Sequence, residues 1–337
     1  MASDPLVEEL YLLADAVTPY AIRAAATLRL ADHVTAGFTD LSTLAEASGA
    51  VPQALGRLMR LLVCRGLFAE REPGIYAILP LGEVLCSDHP SHARLWFDSE
   101  GVAGRIDATF PRLTDAVRTG NPVYEAVYGL PFWADVTANP GLTNSFDRLM
   151  ADVARSTDGI ATEYDWSGVR HLVDVGGGLG AVLATILAAQ PHLRGTVVDQ
   201  PETVAQATRY LAERGLAHRA SAVAADMFRV VPGSGDVYLL SRVLADWNDQ
   251  DATMILRRCA EAAGRDNRVL VAERLISEDA SAQLVAATDL RLLVYLGGRK
   301  RSLRDLNDLI NSAGMVVRSH IPLSGGGTVV ECLVTVA

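Results

Sequence analysis

Cysteine is scarce in this chain, and its distribution excludes several classes of protein. The 337 residues include four cysteines, and no two of them form a Cys-x-x-Cys pair. A disulfide framework and a zinc site are therefore not expected, and no metal is predicted. Long apolar runs are also missing, since none approaches the ~20 residues of a membrane-spanning helix. The first ten residues, MASDPLVEEL, lack the basic-then-apolar order of a signal peptide. These absences favour a reduced, cytoplasmic enzyme with no membrane partner.

Basic residues are also too few for a broad nucleic-acid surface. The formal net charge is −10, whereas a protein that neutralises many phosphates needs a basic face. No nucleic-acid partner is therefore expected. Half of the residues are apolar, which is enough for a full core. The length suggests about two domains.

Residues 1–98 have a helical pattern with one short alternating segment. Ala16–Leu30 is rich in Ala and Leu, which predicts a buried helix. Leu41–Ser48 predicts a short helix that Gly49 ends, and Pro52 starts a third helix that runs to Arg65. The alternation over Glu70–Leu79 then predicts a small hairpin. Together these elements make a winged-helix unit.

A winged-helix unit has two interpretations, DNA binding or a scaffold that forms a dimer. Its third helix carries only Arg57, Arg60 and Arg65, and the acidic residues Glu70 and Glu72 follow. Because a basic stripe is missing, dimer formation is favoured over DNA binding.

Residues 99–164 contain a large share of the few aromatic residues, among them Trp133 and Phe146. These side chains either line an apolar substrate pocket or pack between two domains, and the sequence leaves both alternatives open. For the pocket we select Trp133, Phe146 and Met150, with Arg299 from later in the chain.

Residues 165–337 alternate between strand and helix patterns, which predicts a doubly wound α/β sheet. Two further strands, separated by Ser324-Gly325-Gly326-Gly327, predict an antiparallel hairpin that closes one sheet edge. The predicted strands are His171–Val175, Gly195–Asp199, Ala220–Ala224, Gly235–Leu240, Arg268–Glu273, Met315–Leu323 and Thr328–Val336.

The run HLVDVGGGLG, residues 171–180, is the most informative local feature. A buried strand ends there in glycines, and a helix starts at Ala181, as in sites that bind a nucleotide-type ligand. Gly176, Gly178 and either Ala181 or Gly180 fit two related glycine patterns. Asp199 ends the next predicted strand, where an acid can bind a ribose diol. These residues predict an adenosine cofactor without separating NAD from S-adenosyl-L-methionine.

Motifs after the later strands separate the two cofactors. They are Asp226-Met227-Phe228, the run from Ser241 to Trp247, Val271-Ala272-Glu273-Arg274, and Leu296 to Ser302. With these motifs the chain closely resembles the plant-type and antibiotic-pathway O-methyltransferases, in particular actinobacterial enzymes that methylate aromatic polyketides. The resemblance implies S-adenosyl-L-methionine as cofactor, a class I methyltransferase fold with a C-terminal hairpin, a small aromatic substrate and a homodimer built through the N-terminal domain.

The resemblance also implies roles for individual residues. Asp174, Gly176 and Gly178 would shape the methionine end of the cofactor pocket, and Asp199 would hold the ribose. The remaining cofactor contacts would be Asp226 at the adenine amino group, Met227 or Phe228 against the ring, Ser241 near the amino-acid end, and Trp247 as a wall. Because these residues follow strand ends, where such sheets bind ligands, we favour these roles over simple core packing.

The chain departs from the family at the catalytic base. The family motif after the fourth strand usually reads Leu-His-Asp-Trp, and its His removes the acceptor proton. Here Ala245 occupies that position, before Asp246. Of the two acids that orient the His, one matches Glu273, whereas Lys300 occupies the position of the other. An alternative is that Ala245 was introduced deliberately by engineering. One such change at position 245 would not explain Lys300 as well. Asp246 and Glu273 remain the predicted catalytic residues.

Methyl transfer without this base requires an acceptor that is already ionised or has a free lone pair. An acidic phenol, a carboxylate or an amine would qualify, because positioning supplies much of the rate. Lys300 and Arg299 either lower the pKa of a phenol or are solvated surface cations. Two other hypotheses stay open. One is a relative that uses the bound cofactor in hydroxylation, decarboxylation or cyclisation without methylating, and the other is a winged-helix regulator with a small-molecule sensor domain.

Overall fold

The computed structural model describes residues 4–153, 159–276 and 282–335. The chain folds into two compact units. The first comprises residues 1–108 and 139–152, and the second comprises residues 109–138 and 153–337. Residues 99–164, which the sequence suggests as one intermediate segment, therefore contribute to both units.

The helices within the described residues are α1 Pro5–Leu13, α2 Val17–Thr27, α3 Leu30–Thr35, α4 Leu41–Ser48, α5 Pro52–Cys64, α6 Pro80–Glu83, α7 Arg94–Phe97, α8 Val102–Asp107, α9 Leu113–Thr119, α10 Tyr124–Tyr128, α11 Phe132–Ala138, α12 Pro140–Val153, α13 Ile160–Glu163, α14 Ala181–Ala189, α15 Pro201–Glu213, α16 Asp249–Ala263, α17 Ala282–Leu296 and α18 Leu303–Ser312. The strands are β1 Phe68–Glu72, β2 Ile75–Ile78, β3 His171–Val175, β4 Arg194–Asp199, β5 Ala220–Ala224, β6 Val237–Ser241, β7 Arg268–Glu273, β8 Met315–Pro322 and β9 Thr328–Val334.

The first unit has the order of elements that the sequence predicts. Asp40 caps α4 by accepting hydrogen bonds from the N–H groups of Ser42 and Thr43, and Gly49 ends the helix with a φ of 67°. After α5, strands β1 and β2 pair as an antiparallel hairpin. The predicted helix, hairpin and turn chemistry of the winged-helix unit are therefore present.

The helix predicted over Ala16–Leu30 is shorter in the structure. Arg29 has a left-handed φ of 54°, so the chain breaks between α2 and α3. The buried alanines of α2, Ala21, Ala25 and Ala26, pack into the core of their own unit. The apolar face of this helix therefore does not need a second copy of the chain to cover it. Exposed apolar side chains are concentrated instead on α1, where Leu13 is 78% exposed.

The second unit is a seven-stranded mixed sheet in the order β5-β4-β3-β6-β7-β9-β8. Strands β3 to β7 run parallel to one another, and β9 pairs antiparallel with both β7 and β8. The predicted doubly wound sheet and its C-terminal hairpin at one edge are confirmed. The strand order reverses next to β3, which places β3 at the topological switch point where such sheets bind ligands.

The central strands are buried on both faces, which explains their nearly continuous apolar sequence. Alternate residues of β3 contribute to two cores. Leu172 packs with α14 and α15, whereas Val173 and Val175 pack with α16 and α18. No helix among the described residues is long and apolar enough to cross a membrane.

Candidate active site

The glycine loop connects β3 to α14 at the switch point. Gly176, Gly178 and Gly180 all have left-handed φ values, of 67°, 57° and 80°. Non-glycine residues rarely adopt this backbone region, so the loop needs glycine at these positions. A Cβ atom at Gly176 would lie 2.9 Å from a methyl carbon of Val243 and 3.7 Å from the sulfur of Met227. The loop therefore packs closely against two other predicted motifs.

Gly178 is the position in this loop where a side chain would meet open space. A Cβ atom built at Gly178 would meet nothing within 4 Å, whereas one at Gly177 would lie 2.5 Å from a carboxylate oxygen of Asp174. Position 177 thus requires glycine because the Asp174 carboxylate lies directly against it. Gly178 leaves its backbone accessible to a ligand.

Asp174 is a buried acid with unused hydrogen-bonding capacity. Its side chain is on β3 and the residue is 1% exposed, yet neither carboxylate oxygen has a hydrogen-bond partner among the described residues. Burial, and secondly the negative charge of Asp199, raises the pKa of Asp174 to about 7. A buried polar group without partners is costly, so this carboxyl group indicates a site for a ligand that donates hydrogen bonds or carries positive charge.

Asp199 lies at the end of β4, beside the glycine loop. One carboxylate oxygen accepts a hydrogen bond from the N–H of Gly178 at 2.8 Å, and the other accepts one from the N–H of Gln200 at 2.8 Å. Burial raises the pKa of Asp199. Each oxygen keeps a further lone pair, so the carboxylate can still bind a diol.

The other predicted cofactor residues surround the same strand ends. Asp226 accepts a hydrogen bond from the N–H of Phe228 at 2.9 Å, and the ring of Phe228 packs edge-on against Trp247 with centroids 4.7 Å apart. Ser241 ends β6, and its buried hydroxyl group has no hydrogen-bond partner among the described residues. These roles remain predictions, but the residues do lie at the carboxyl edge of one sheet.

Ala245 is buried in a short 3-10 turn, Leu244–Asp246, that follows β6. Its N–H donates a hydrogen bond to Glu273 Oε1 at 3.2 Å. The other oxygen, Glu273 Oε2, lies 3.6 Å from Lys300 Nζ, and both side chains are buried, with 6% and 9% of their surfaces exposed. Lys300 is the only lysine of the chain. The alternative that Lys300 is a solvated surface cation is therefore wrong.

The loop after α17 brings Lys300 to this position. The N–H of Arg299 donates to the carbonyl oxygen of Ala245 at 2.9 Å, and a Cβ atom at Gly298 would lie 2.3 Å from that same oxygen. Arg301, which is 4% exposed, donates from its guanidinium to the carbonyl oxygens of Leu244 and Trp247. The two motifs that depart from the family pattern therefore pack directly against each other.

Asp246 follows Ala245, and its carboxyl group makes no hydrogen bond or ion pair with the described residues. Burial, and secondly the negative charge of Glu273, raises the pKa of Asp246 to about 7, against the opposing effect of Lys300 and Arg242. A group with a pKa near the operating pH is suited to moving protons. Asp246 is thus the acid nearest in sequence to Ala245 that can titrate near neutral pH.

Two residues of the site were missed by the sequence analysis. Arg242 follows β6 with a left-handed φ of 61°, and its partly buried guanidinium has its pKa lowered by burial. Tyr295 on α17 lies close enough to Asp246 and Arg242 for their charges to affect its pKa, which burial raises. The position of Arg242 directly after Ser241 was the only available signal.

The four predicted pocket residues do not come from one unit. Trp133 belongs to the second unit, where its ring lies 5.0 Å from that of Phe132, which in turn lies 4.7 Å from Tyr295. Arg299 is exposed in the same unit, and its guanidinium pairs with Asp249 at 2.9 Å. Phe146 and Met150 lie on α12, in the first unit. The shared pocket remains a prediction.

Comparison with known families matches almost the whole chain. An O-methyltransferase domain covers residues 110–316, and an O-methyltransferase dimerisation domain covers residues 11–88. The chain is 43% identical over 313 residues to a 2,7-dihydroxy-5-methyl-1-naphthoate 7-O-methyltransferase of Streptomyces carzinostaticus. The alignment covers 93% of this chain and 93% of the relative.

A hydroxylase and an O-methyltransferase of known structure are also similar to the chain. The chain is 43% identical over 313 residues to an aclacinomycin 10-hydroxylase of Streptomyces purpurascens, covering 91% of this chain and 84% of the relative. Among solved structures, an O-methyltransferase from neocarzinostatin biosynthesis, in complex with S-adenosylmethionine and 2-hydroxy-5-methyl naphthoic acid, superposes with a TM-score of 0.91. Its sequence identity is 42%, and the alignment covers 96% of this chain and 98% of that one.

Proposed function

Because the chain belongs to the S-adenosylmethionine-dependent O-methyltransferase family, we propose that it methylates an aromatic natural product without a histidine base. The acceptor atom would be an ionised phenol, a carboxylate or an amine. A pathway of antibiotic biosynthesis is the expected setting, since relatives named for mitomycin and neocarzinostatin biosynthesis align over most of the chain.

The residues at the glycine loop fit S-adenosylmethionine. Asp174 offers two buried carboxylate oxygens without partners, and Ser241 offers a buried hydroxyl, which suits the charged amino-acid end of the cofactor. Asp199 keeps lone pairs for a ribose diol. The cofactor supplies an electrophilic methyl group on a sulfonium with a good, neutral leaving group. The protein therefore has to position the acceptor and exclude water.

The observation that carries the proposal is the state of the base position. Ala245 has no side-chain group that takes a proton, and Glu273 nearby is neutralised by Lys300 rather than left to orient a histidine. The negative charge that would stabilise an imidazolium is thus balanced within the protein. A general base typically contributes ~10²–10⁴-fold, and an acceptor that is already ionised does not need this factor.

Mass spectrometry tests the proposal directly. Incubation with S-adenosylmethionine and a series of phenols should add one CH₂ group to the acceptor, and the rate should rise with pH to a plateau. Because the acceptor's own ionisation limits the rate, the pH of that plateau should move with the pKa of each phenol. Asp246 is the competing base. A rate limited by one ionisation near pH 7 for every phenol would contradict the proposal and assign the proton to Asp246.

A second candidate function is favoured by one relative. The 43% identical hydroxylase aligns with 91% of this chain, so a close relative can catalyse another reaction. With Ala245 in place of the base, this chain would then use the bound cofactor without transferring its methyl group. Acceptors that come back with unchanged mass from every incubation, although the protein binds S-adenosylmethionine, would support this candidate.

We also propose a homodimer formed through the first unit. The dimerisation domain and the exposed apolar side chains of α1, among them Leu6, Leu10 and Leu13, support it. An apolar patch of this kind is uncommon on a monomer. Light scattering at micromolar concentration should give twice the chain mass of 36.0 kDa. A single-chain mass would count against the dimer.

A further inference from the structure

Arg242 is an arginine without a partner in the second unit. Its guanidinium makes no hydrogen bond and no ion pair with any residue that the structure describes, although the side chain is partly buried. A guanidinium has five N–H donors, and leaving them unmet away from bulk water is unfavourable. The backbone of Arg242 is also held at a φ of 61°. Such strained residues are concentrated at ligand sites and active sites.

The neighbouring cations are already engaged. Lys300 pairs with Glu273, Arg299 pairs with Asp249, and Arg301 binds two backbone carbonyls of the turn at Leu244–Asp246. The sequence suggests Lys300 or Arg299 as the cation that lowers an acceptor pKa. The contacts favour Arg242 for that role, because its guanidinium forms no ion pair or hydrogen bond in the described part of the chain.

The surroundings of Arg242 are aromatic as well as charged. The charges of Glu273 and Asp246 act on its guanidinium, as does the hydroxyl of Tyr295. The Tyr295 ring lies 4.7 Å from Phe132, whose ring lies 5.0 Å from Trp133. A cation therefore lies near a group of aromatic rings, which suits a flat ligand that carries an anionic group at its edge.

We propose that Arg242 binds the anionic oxygens of the aromatic acceptor, a carboxylate or a phenolate. This inference rests on the proposed function, since it concerns the acceptor of the same site. A carboxylate fits the planar guanidinium through two parallel hydrogen bonds, which an ammonium group cannot reproduce. The same contact favours the ionised form of a phenol. The substrate class that follows is a hydroxylated aromatic acid or an acidic phenol.

Two sources of an oxyanion have to be separated, because the amino-acid end of the cofactor also carries a carboxylate. Arg242 and Ser241 are adjacent in sequence, but Ser241 ends β6, whereas Arg242 lies beyond the strand with a left-handed φ of 61°. Ser241 is the residue assigned to the cofactor end, and Arg242 is the one within reach of Tyr295. We therefore assign the guanidinium to the acceptor and not to the cofactor.

Calorimetry without turnover tests this assignment. The protein is loaded with S-adenosylhomocysteine and titrated with salicylate, salicylamide, 2-hydroxy-1-naphthoate and the corresponding naphthamide. At least one acid should bind about ten- to a hundredfold more tightly than its neutral amide, as expected for charge-assisted hydrogen bonds. Arg242→Gln should abolish this preference. Arg242→Lys should keep only part of it, since it keeps the charge but loses the two-pronged geometry.

Two controls separate binding from folding. Arg304→Met removes one positive charge from an exposed position in the same unit, and it should leave the preference for the acid intact. S-adenosylhomocysteine should bind the Arg242 variants as it binds the wild type. Loss of cofactor affinity with an unchanged preference for the acid would reassign the guanidinium to the cofactor carboxylate and overturn the proposal.

The remaining outcomes are also decisive. The proposal is wrong if neither acid binds the wild type better than its amide, or if Arg242→Gln keeps the full preference. These results are independent of methyl transfer. An Arg242-dependent preference without any gain of CH₂ would support the subsite and reject methylation, whereas methylation with an indifferent Arg242 would reject the subsite alone.

Discussion

Replacing Lys300 by methionine should lower the free energy of unfolding by about 3–5 kcal/mol, the range for removing one partner of a buried ion pair. The reason is that Glu273 would be left as an uncompensated charge, since its Oε2 atom has no hydrogen-bond partner among the described residues and lies 3.6 Å from Lys300 Nζ. Chemical denaturation with a linear extrapolation measures the difference.

The adjacent residue provides a matched control. Arg299 also pairs with an acid, but 46% of its side chain and 54% of that of Asp249 are exposed. Exposed pairs contribute roughly 0–1 kcal/mol, so Arg299→Met should change stability little. The double variant Lys300→Met/Glu273→Gln removes both charges of the pair, and much of the loss should be recovered. Equal effects of Lys300→Met and Arg299→Met would mean that the Lys300 pair is solvated after all.

The sheet could be predicted because its strands carry strong local signals. β3, β5 and β7 have the predicted bounds, and the terminal hairpin forms at the predicted glycine run. Buried parallel strands are nearly continuous apolar runs, so the sequence identifies them without knowledge of their neighbours. The ends of β6 were predicted less accurately, and the break after α2 was not predicted. The break depends on the left-handed backbone of Arg29, which no side-chain pattern indicates.

The chemistry of the site was only partly predictable. The residue types at Ala245, Glu273 and Lys300 could be aligned with a family motif, but their pairing depends on a long-range contact between the loop after α17 and the turn after β6. For the same reason Lys300 could be interpreted as a surface cation. Arg242 could not be selected from its position after Ser241 alone, because both its strained φ and its lack of partners among the described residues are properties of the folded chain.

The structure also explains how a site without the base stays electrically balanced. Two acids, Asp246 and Glu273, lie near two cations, Lys300 and Arg242. Glu273 raises the pKa of Asp246, whereas Lys300 and Arg242 lower it. A histidine base with two orienting acids would instead leave a net negative charge that favours an imidazolium. Under the proposed function, replacement of the histidine and of one acid would change the site from one that takes up a proton to one suited to an anionic acceptor.

Restoring the histidine should show which acceptors need it. Ala245→His places an imidazole next to Glu273, the acid that accepts from the backbone N–H of residue 245. An acceptor that is already ionised should react at nearly the native rate. A phenol that is protonated at the assay pH should gain up to ~10²–10⁴-fold in kcat/KM, and its profile should contain a new ionisation close to the ~6.5 of an unperturbed histidine.

The control for this variant is Ala245→Gln, which adds a side chain of similar size that cannot act as a base. Any change that both variants share reflects crowding at a position that is 5% exposed.

A second variant, Ala245→His/Lys300→Glu, supplies the other orienting acid and should raise the pKa of the histidine above that in the single variant, because a nearby cation has been replaced by an anion. Its profile should therefore shift to higher pH. If Ala245→His produces methylation where the native protein transfers no methyl group to any acceptor, methylation is not the native reaction. The intact cofactor site would then serve the reaction of a non-methylating relative.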